Sequence, residues 1–314
     1  MKILVTGGAG FIGSHVVDAY VTAGHEVAVF DSMATGREEN VNPGARLYRG
    51  DVRDLSQVQQ AIGDFKPDVV NHHAAQSEVP KSVADPGHDA HVNVVGGLNV
   101  LRASVDHSVR KVIFSSTGGA LYGEPDIVPN DEDHPIRPLS PYGTSKYAFE
   151  QYLATFQRTF GLDYTTLRYA NIYGARQDFF AEEGRVVAIF ASRMIEGKPL
   201  TIDWDGNQSR DMLHVGDVAM ANIAALERGE GGTYHISTAI PVTVNDLFRK
   251  LALLTEYKLE PRRGPQRKGD VYRIALDNTR AKEQLGWEPR IVLEEGLRLT
   301  VEYFRDQIAR LHAC

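Results

Sequence analysis

In the stretch RPLSPYGTSKYAFEQYL, Arg137 to Leu153, Tyr142 stands four residues before Lys146. Ser140 is a favoured N-cap and Pro141 suits a first helical position, so the sequence predicts a helix beginning here. Residues four apart share a helix face, which sets the Tyr142 phenol beside the Lys146 ammonium. A nearby cation and a helix N-terminus both favour a phenolate, so the pair is expected to work as a general base that ionises more easily than free tyrosine. The same spacing also suits an ordinary surface helix. The rest of the chain decides whether the pair has anything to act on.

Gly7, Gly10 and Gly13 give G-x-x-G-x-x-G between the apolar run KILVT and a helical pattern carrying Phe11, Ile12, Val16, Val17 and Tyr20. Glycines at such a turn let a pyrophosphate approach the backbone at the helix N-terminus. The next strand, EVAVF, ends at Asp31, an acid placed to accept from adenosine ribose hydroxyls and to repel a 2′-phosphate. That combination points to NAD, although Arg37 nearby argues the other way.

Strand and helix patterns then alternate: strands around 45–51, 67–75, 110–116 and 162–170, helices near 55–64 and 89–106 and from Ser140. Strict alternation calls for a parallel sheet covered on both faces. The expected fold is α/β, a Rossmann-type doubly wound parallel sheet over residues 1–170 with a smaller C-terminal α/β substrate lobe from 171–211 and 239–314. Residues 212–238 are expected to return a helix and a strand to the main sheet. Further helices are predicted at 186–196, 215–228, 244–256 and 294–311.

A chain of 314 residues with 42% hydrophobic and 24% charged residues has the make-up of a soluble globular protein. A net charge of −7 argues against a nucleic-acid binder. The single cysteine, Cys314, allows no disulfide framework and fits a reducing compartment. The first apolar run is too short for a signal peptide, and no stretch of about 20 apolar residues suggests a span, so a cytoplasmic location without membrane attachment is expected. His88, Asp89 and His91 lack further ligands at metal spacing, so no metal site is expected. His72 and His73 are read as packed at a strand end, and His214 and Asp217 as structural.

With both motifs in one chain, the sequence resembles the extended short-chain dehydrogenases/reductases, and within them the UDP-glucose (UDP-galactose) 4-epimerases. TGGAGFIGSH, GDVRD, HHAAQ, NVVGGLNVL, FSSTGGALYG, SPYGTSKYAFE, RYANIYGARQ, SRDMLHVGDVA, GDVYRIALD and LGWEP carry the likeness over nearly the whole length. The resemblance implies that Gly7, Gly10, Phe11, Ile12 and Gly13 hold the pyrophosphate of NAD, and that Asp31 and Ser32, with Gly36 nearby, hold its adenosine ribose. Asp51 and Val52 would meet the adenine, His73, Ala74 and Ala75 would line the cofactor path, and Asn93 and Ser115 would support the nicotinamide side. Tyr142 would be the base, Lys146 would bond the nicotinamide ribose, and Thr117 would hydrogen-bond the reacting hydroxyl.

On the substrate side, the likeness sets Gln76 and Ser77 near the sugar and Tyr169 and Asn171 where cofactor and sugar diphosphate meet. Arg210, Arg267 and Asp270 match diphosphate and ribose positions, and Thr201 and Ile202 the uracil strand. The implied reaction passes hydride to tightly bound NAD and back through a 4-keto sugar. A homodimer is also implied, with the helix bearing Val92, Val95, Leu98 and Leu101 as a candidate face. The sugar stays open. Ser77 and Glu78 depart from the usual order, and Ile274 stands where the family gates N-acetylated sugars. A UDP-N-acetylhexosamine, UDP-glucuronate or a dTDP-sugar are the alternatives, as is a catalytically silent NAD-binding regulator. After Thr117 come Gly118, Gly119 and Ala120, which lack the acid a dehydratase needs.

Overall fold

The computed structural model describes residues 1–178, 185–266 and 271–313. The first half runs β1 (Lys2–Thr6), α1 (Phe11–Thr22), β2 (Glu26–Asp31), β3 (Arg46–Arg49), α2 (Leu55–Phe65), β4 (Val69–His72), α3 (Val79–Ala84), α4 (Pro86–Ala90), α5 (Gly96–Asp106) and β5 (Lys111–Thr117). Then come α6 (Pro141–Phe160), β6 (Asp163–Tyr169), β7 (Asn171–Tyr173), α7 (Val186–Ile195), β8 (Thr201–Asp203) and β9 (Ser209–His214). The chain closes with α8 (Val215–Ala225), β10 (Gly232–Ile236), β11 (Pro241–Thr243), α9 (Val244–Thr255), β12 (Arg262–Gly264) and α10 (Leu293–Ala313). No helix among the described residues is long and apolar enough to cross a membrane.

Seven strands form one sheet in the order β10-β6-β5-β4-β1-β2-β3, every pair parallel. Alternation along the strands sorts the core into two layers. Ile3, Val5, Val29 and Ile113 face α1 and α8 through Val16, Val17, Val218 and Ala221. Leu4, Phe30, Val112 and Phe114 face the other way, onto α2, α5 and α6, meeting Ile62, Leu101 and Phe149. Both faces are covered, as parallel strands with near-continuous apolar runs require.

The segment after Asn171 divides. β10 pairs with β6 at the edge of the large sheet, whereas β9 joins β7 and β11 in a small separate sheet. β8 and β12 pair beside it, and α7, α9 and α10 share a third core built on Phe190, Leu247 and Phe304. The buried carboxylate of Asp211 stitches this region together. It accepts from Thr238 N and Oγ1, Ala239 N and Leu276 N at 2.7–3.3 Å.

The helix expected near 89–106 is interrupted. α4 passes into a π-helical turn, His91–Val95, before α5. One inserted residue shifts the phase of every later turn. Leu101 therefore enters the core, and Val92 packs against it, while Val95 stays 43% exposed. The apolar face sketched from Val92, Val95, Leu98 and Leu101 is thus not a single outer surface.

Where α5 crosses α6 the backbone approach is close, because a Cβ on Gly97 would lie 2.4 Å from the Phe149 ring. Gly97→Ala is expected to destabilise the protein by about 1–3 kcal/mol through overpacking. The check is urea unfolding, with a lower midpoint at unchanged slope; an unchanged midpoint would show that the helices can part freely.

Candidate functional site

The site lies at the carboxyl ends of the strands, beside the point where the order reverses between β1 and β4, the usual crevice of a doubly wound sheet. A cavity of about 760 Å³ opens there. Its floor begins at the β1–α1 turn. Gly7 is left-handed at φ +70°, and a Cβ on it would meet Ala74 N at 2.6 Å; one on Gly13 would meet the Gly7 carbonyl oxygen at 2.2 Å. Only glycine permits this packing. The N-terminus of α1 carries no side-chain cap, and Gly10, Phe11, Ile12 and Gly13 line the cavity, so the helix presents its first turn to whatever binds. Asp31 at the end of β2 lines the same cavity with Ser32. Its carboxylate accepts from Ala9 N at 3.0 Å and Met33 N at 2.8 Å, pinning the glycine turn.

Gly36 is set behind this acid rather than in the cavity wall, and a Cβ there would come within 2.8 Å of Asp31 Oδ1. Asp51 and Val52 line the cavity, as do His73, Ala74, Ala75, Gln76 and Ser77. The His73 ring lies against Tyr169 with centroids 6.2 Å apart, and its buried Nε2 has no hydrogen-bond partner among the described residues. Burial holds both His72 and His73 neutral, each pushed down to about 3.

The opposite wall comes from β5 and α6. Ser140 caps α6 by accepting from Gly143 N at 3.2 Å, and Pro141 fills its first turn. Ser115, Thr117, Tyr142, Lys146, Tyr169 and Asn171 all line the cavity. Lys146 is 4% exposed. Its Nζ donates to the Ser115 carbonyl at 2.9 Å and stands 4.8 Å over the Phe114 ring and 6.0 Å from the Tyr142 ring. Burial lowers Lys146 to about 8 against the carboxylates of Asp89 and Glu150, which favour its charge.

Tyr142 departs from expectation. Its phenol is pushed up to about 12, chiefly by burial, with the Thr117 hydroxyl working the other way and Asp89 adding to the rise. In the chain alone, desolvation outweighs the helix end, and the lysine cation is committed to Ser115.

Asn93 does not reach the cavity wall. From the π-helical turn it accepts from Gln76 N at 2.9 Å and donates to Gln76 O, Asp89 Oδ1 and Ser145 Oγ at 3.0–3.1 Å. It braces the loop after β4 against α6. Asp89, one of the residues weighed for a metal, is spent on this brace, also accepting from Gln76 Nε2 at 2.9 Å. Among the described residues no cluster suited to a metal ion is found.

The substrate-side positions are dispersed. Ile202 is buried in the core of the small lobe, Thr201 is exposed on β8, and Arg210 on β9 donates to the Ser209 carbonyl at 3.0 Å; none of them lines the cavity. Arg267 and Asp270 lie outside the described residues. Sequence reasoning missed several polar and charged side chains of the wall. Arg176, Gln177 and Asp178 line it, as do Arg185 and Arg37, the latter weighed in the sequence only against NAD. Asp178 links Arg185 at 3.1 Å to Arg37 at 3.7 Å, and Arg176 is paired with Asp18 at 2.7 Å. The polar run GARQD just after β7 was the available signal.

An uncapped helix N-terminus, a glycine turn, an acid at the end of β2 and an unpartnered buried imidazole nitrogen fit a dinucleotide lying from α1 toward Lys146. The space between Thr117, Tyr142 and Asn171 can seat a hydroxyl where a phenol could take its proton.

Comparison with known proteins agrees with this geometry. The chain is 48% identical to a UDP-glucose 4-epimerase of Thermotoga maritima whose crystal structure holds UDP-glucose, with a TM-score of 0.96 over 98% of this chain and 100% of that one. A UDP-glucose 4-epimerase of Thermus thermophilus in complex with NAD is 44% identical, with a TM-score of 0.92 over 97% and 99% of the two chains. The UDP-glucose 4-epimerase of Mycolicibacterium smegmatis is 40% identical over 98% of this chain and 99% of its own length. The family model described as the NAD dependent epimerase/dehydratase family matches residues 3–237, and this chain belongs to that family.

Proposed function

We propose that the protein interconverts UDP-glucose and UDP-galactose by inverting carbon 4 of the hexose, using NAD that stays bound through the cycle. The observation that carries this reading is the convergence of Thr117, Tyr142 and Lys146 on one cavity with the glycine turn, in a chain so similar along its whole length to UDP-glucose 4-epimerases. When bound, NAD supplies the hydride acceptor and donor and brings a positively charged ring.

The chain's own residues do the rest. Thr117 orients the 4-hydroxyl, and Tyr142 takes its proton and later returns it. Lys146, fixed by Ser115, holds the ribose beside them. Gly7, Gly10 and the first turn of α1 would seat the pyrophosphate, and Asp31 and Ser32 the adenosine ribose. Residues 171–211 and 239–314 would anchor the uridine diphosphate through Arg210 and the strand of Thr201 and Ile202. The cavity-lining Arg176 and Arg185 offer further guanidinium groups of the kind that match a diphosphate. Remote binding through the nucleotide leaves the sugar free to turn between the two hydride transfers.

Two observations weigh against neighbouring chemistries. Gly118 stands directly after Thr117 and supplies no carboxylate at the position a dehydratase uses. Thr117, Tyr142 and Lys146 are all present, which a silent regulator would not need. Ile274 is buried with Leu121, Tyr122 and Leu276 rather than in the cavity wall, so the choice between plain and N-acetylated hexose is made by substrate assay. Work in the cytoplasm, in galactose metabolism and as a homodimer belongs to the same reading.

Incubating the purified protein with UDP-galactose and no added cofactor is expected to give UDP-glucose by NMR without net NADH absorbance. Product only with N-acetylated, uronic or dTDP-linked sugars would move the substrate, and silence on all of them would remove the enzyme. Tyr142→Phe is expected to keep its nucleotide and its affinity for UDP-sugar while losing about a hundred- to ten-thousandfold in kcat. A near-normal rate would take Tyr142 out of the role of base.

Lys146 yields a pH test. Its folded pKa, about 8, lies below the ordinary 10.5, so the unfolded chain binds the extra proton between those values. The penalty of burying this cation is complete below pH 8 and fades as the pH rises toward 10.5. In nucleotide-stripped protein, Tm for Lys146→Met minus Tm for the parent is therefore expected to fall from pH 7 to pH 10. A constant difference would mean that Lys146 is not depressed.

A further inference from the structure

One turn beyond Lys146 on α6 lies Glu150, buried and paired with Arg168 of β6. The guanidinium donates from Nη2 to Oε2 at 2.6 Å and from Nε to Oε1 at 3.1 Å. Oε1 also accepts from Ser116 Oγ at 2.6 Å. Ser116 separates Ser115, whose carbonyl holds Lys146, from Thr117. Arg168 directly precedes Tyr169, which pairs with Thr117 in the sheet register. The carboxylate therefore ties together three elements, each of which presents a cavity-lining residue close to the tied one.

The tie extends further. Arg168 Nη1 donates to Tyr122 Oη at 2.6 Å and to the Glu132 carbonyl at 3.2 Å. Tyr122 Oη is 2.6 Å from His235 Nε2, and His235 Nδ1 is 3.1 Å from the Asp277 carbonyl. Burial keeps His235 neutral. A carbonyl only accepts, so the single ring proton sits on Nδ1, and Tyr122 donates its hydroxyl proton to Nε2. The chain of bonds thus runs from α6, through the loop that follows Thr117, to Asp277.

A buried ion pair seldom stabilises more than a well-packed apolar pair of the same volume. Its use here has to be sought in geometry. We propose that Glu150 and Arg168 are a positioning pair, fixing the end of β5 against α6 so that Thr117 and Tyr142 meet the same hydroxyl. They touch neither sugar nor nucleotide and act through Ser116 and Tyr122. The inference rests on the epimerase reading.

Ser116→Ala removes the hydrogen bond from β5 to the carboxylate and leaves the ion pair whole. It is expected to keep its bound NAD, its Tm and its KM for UDP-galactose, while kcat falls about ten- to a hundredfold, the loss typical of small misplacements. The double variant Glu150→Met/Arg168→Met, in which no unpaired charge remains, is expected to fold and to lose at least as much kcat. A parental kcat in Ser116→Ala overturns the proposal. So does a kcat that falls only in step with Tm or with bound nucleotide, since the pair would then serve the fold alone. The parent protein's own turnover of UDP-galactose separates these results from failure of the epimerase reading.

Discussion

The ammonium of Lys146 sits inside the protein, and its neighbours are arranged around the cost of keeping it there. Desolvation alone would strip its proton. The Ser115 carbonyl takes one of its hydrogen bonds, the Phe114 ring lies beneath it, and the carboxylates of Asp89 and Glu150 favour its charge. Each of these partners needs support in turn. Asp89 is held by Gln76 and Asn93, and Glu150 by Arg168 and Ser116. One buried cation thus accounts for two buried acids, a π-helical turn that aims Asn93, and a serine whose hydroxyl donates to Glu150.

The cavity wall uses two kinds of material. Around the β1–α1 turn recognition falls to backbone, because glycines remove side chains and leave an uncapped helix terminus facing in. Beside that turn the wall also carries long charged side chains, Arg37, whose backbone N–H donates to Ala9 O, Arg176, paired with Asp18 of α1, and Arg185. Asp178 joins two of them. A backbone cradle is rigid and suits a cofactor that stays, whereas guanidinium groups on long stems suit a ligand that comes and goes.

This difference also explains what was legible beforehand. The glycine turn and the Ser140-capped helix are local, so residue types and spacing revealed both, and alternation of strands and helices revealed the parallel sheet. Acidity was misread at Tyr142, since spacing reveals a neighbouring cation but not the depth of burial that dominates here. Leu101 was misplaced by one inserted helical residue that no periodicity count detects. Arg176 escaped because its position depends on how the second lobe folds back. Ile202 and Arg210 belong to strands of that lobe, yet neither meets the cavity wall.

A broader signature was present all along. β1 is apolar through Ile3, Leu4 and Val5 and then turns to Thr6; β4 passes from Val69 and Val70 to Asn71 and His72; β5 passes from Val112, Ile113 and Phe114 to Ser115, Ser116 and Thr117. Parallel strands aligned in register bring those polar ends to one edge. Buried there, they must satisfy one another. Thr6 meets His72 at 2.7 Å, and Asn71 meets Tyr20 and Asn222 at 2.7 and 2.8 Å, with Asn222 reaching Tyr169 at 2.9 Å. An apolar core would have been simpler to pack at that edge. Polar residues confined to the carboxyl ends of consecutive strands therefore mark where the chemistry lies, and they do so before any single catalytic motif is identified.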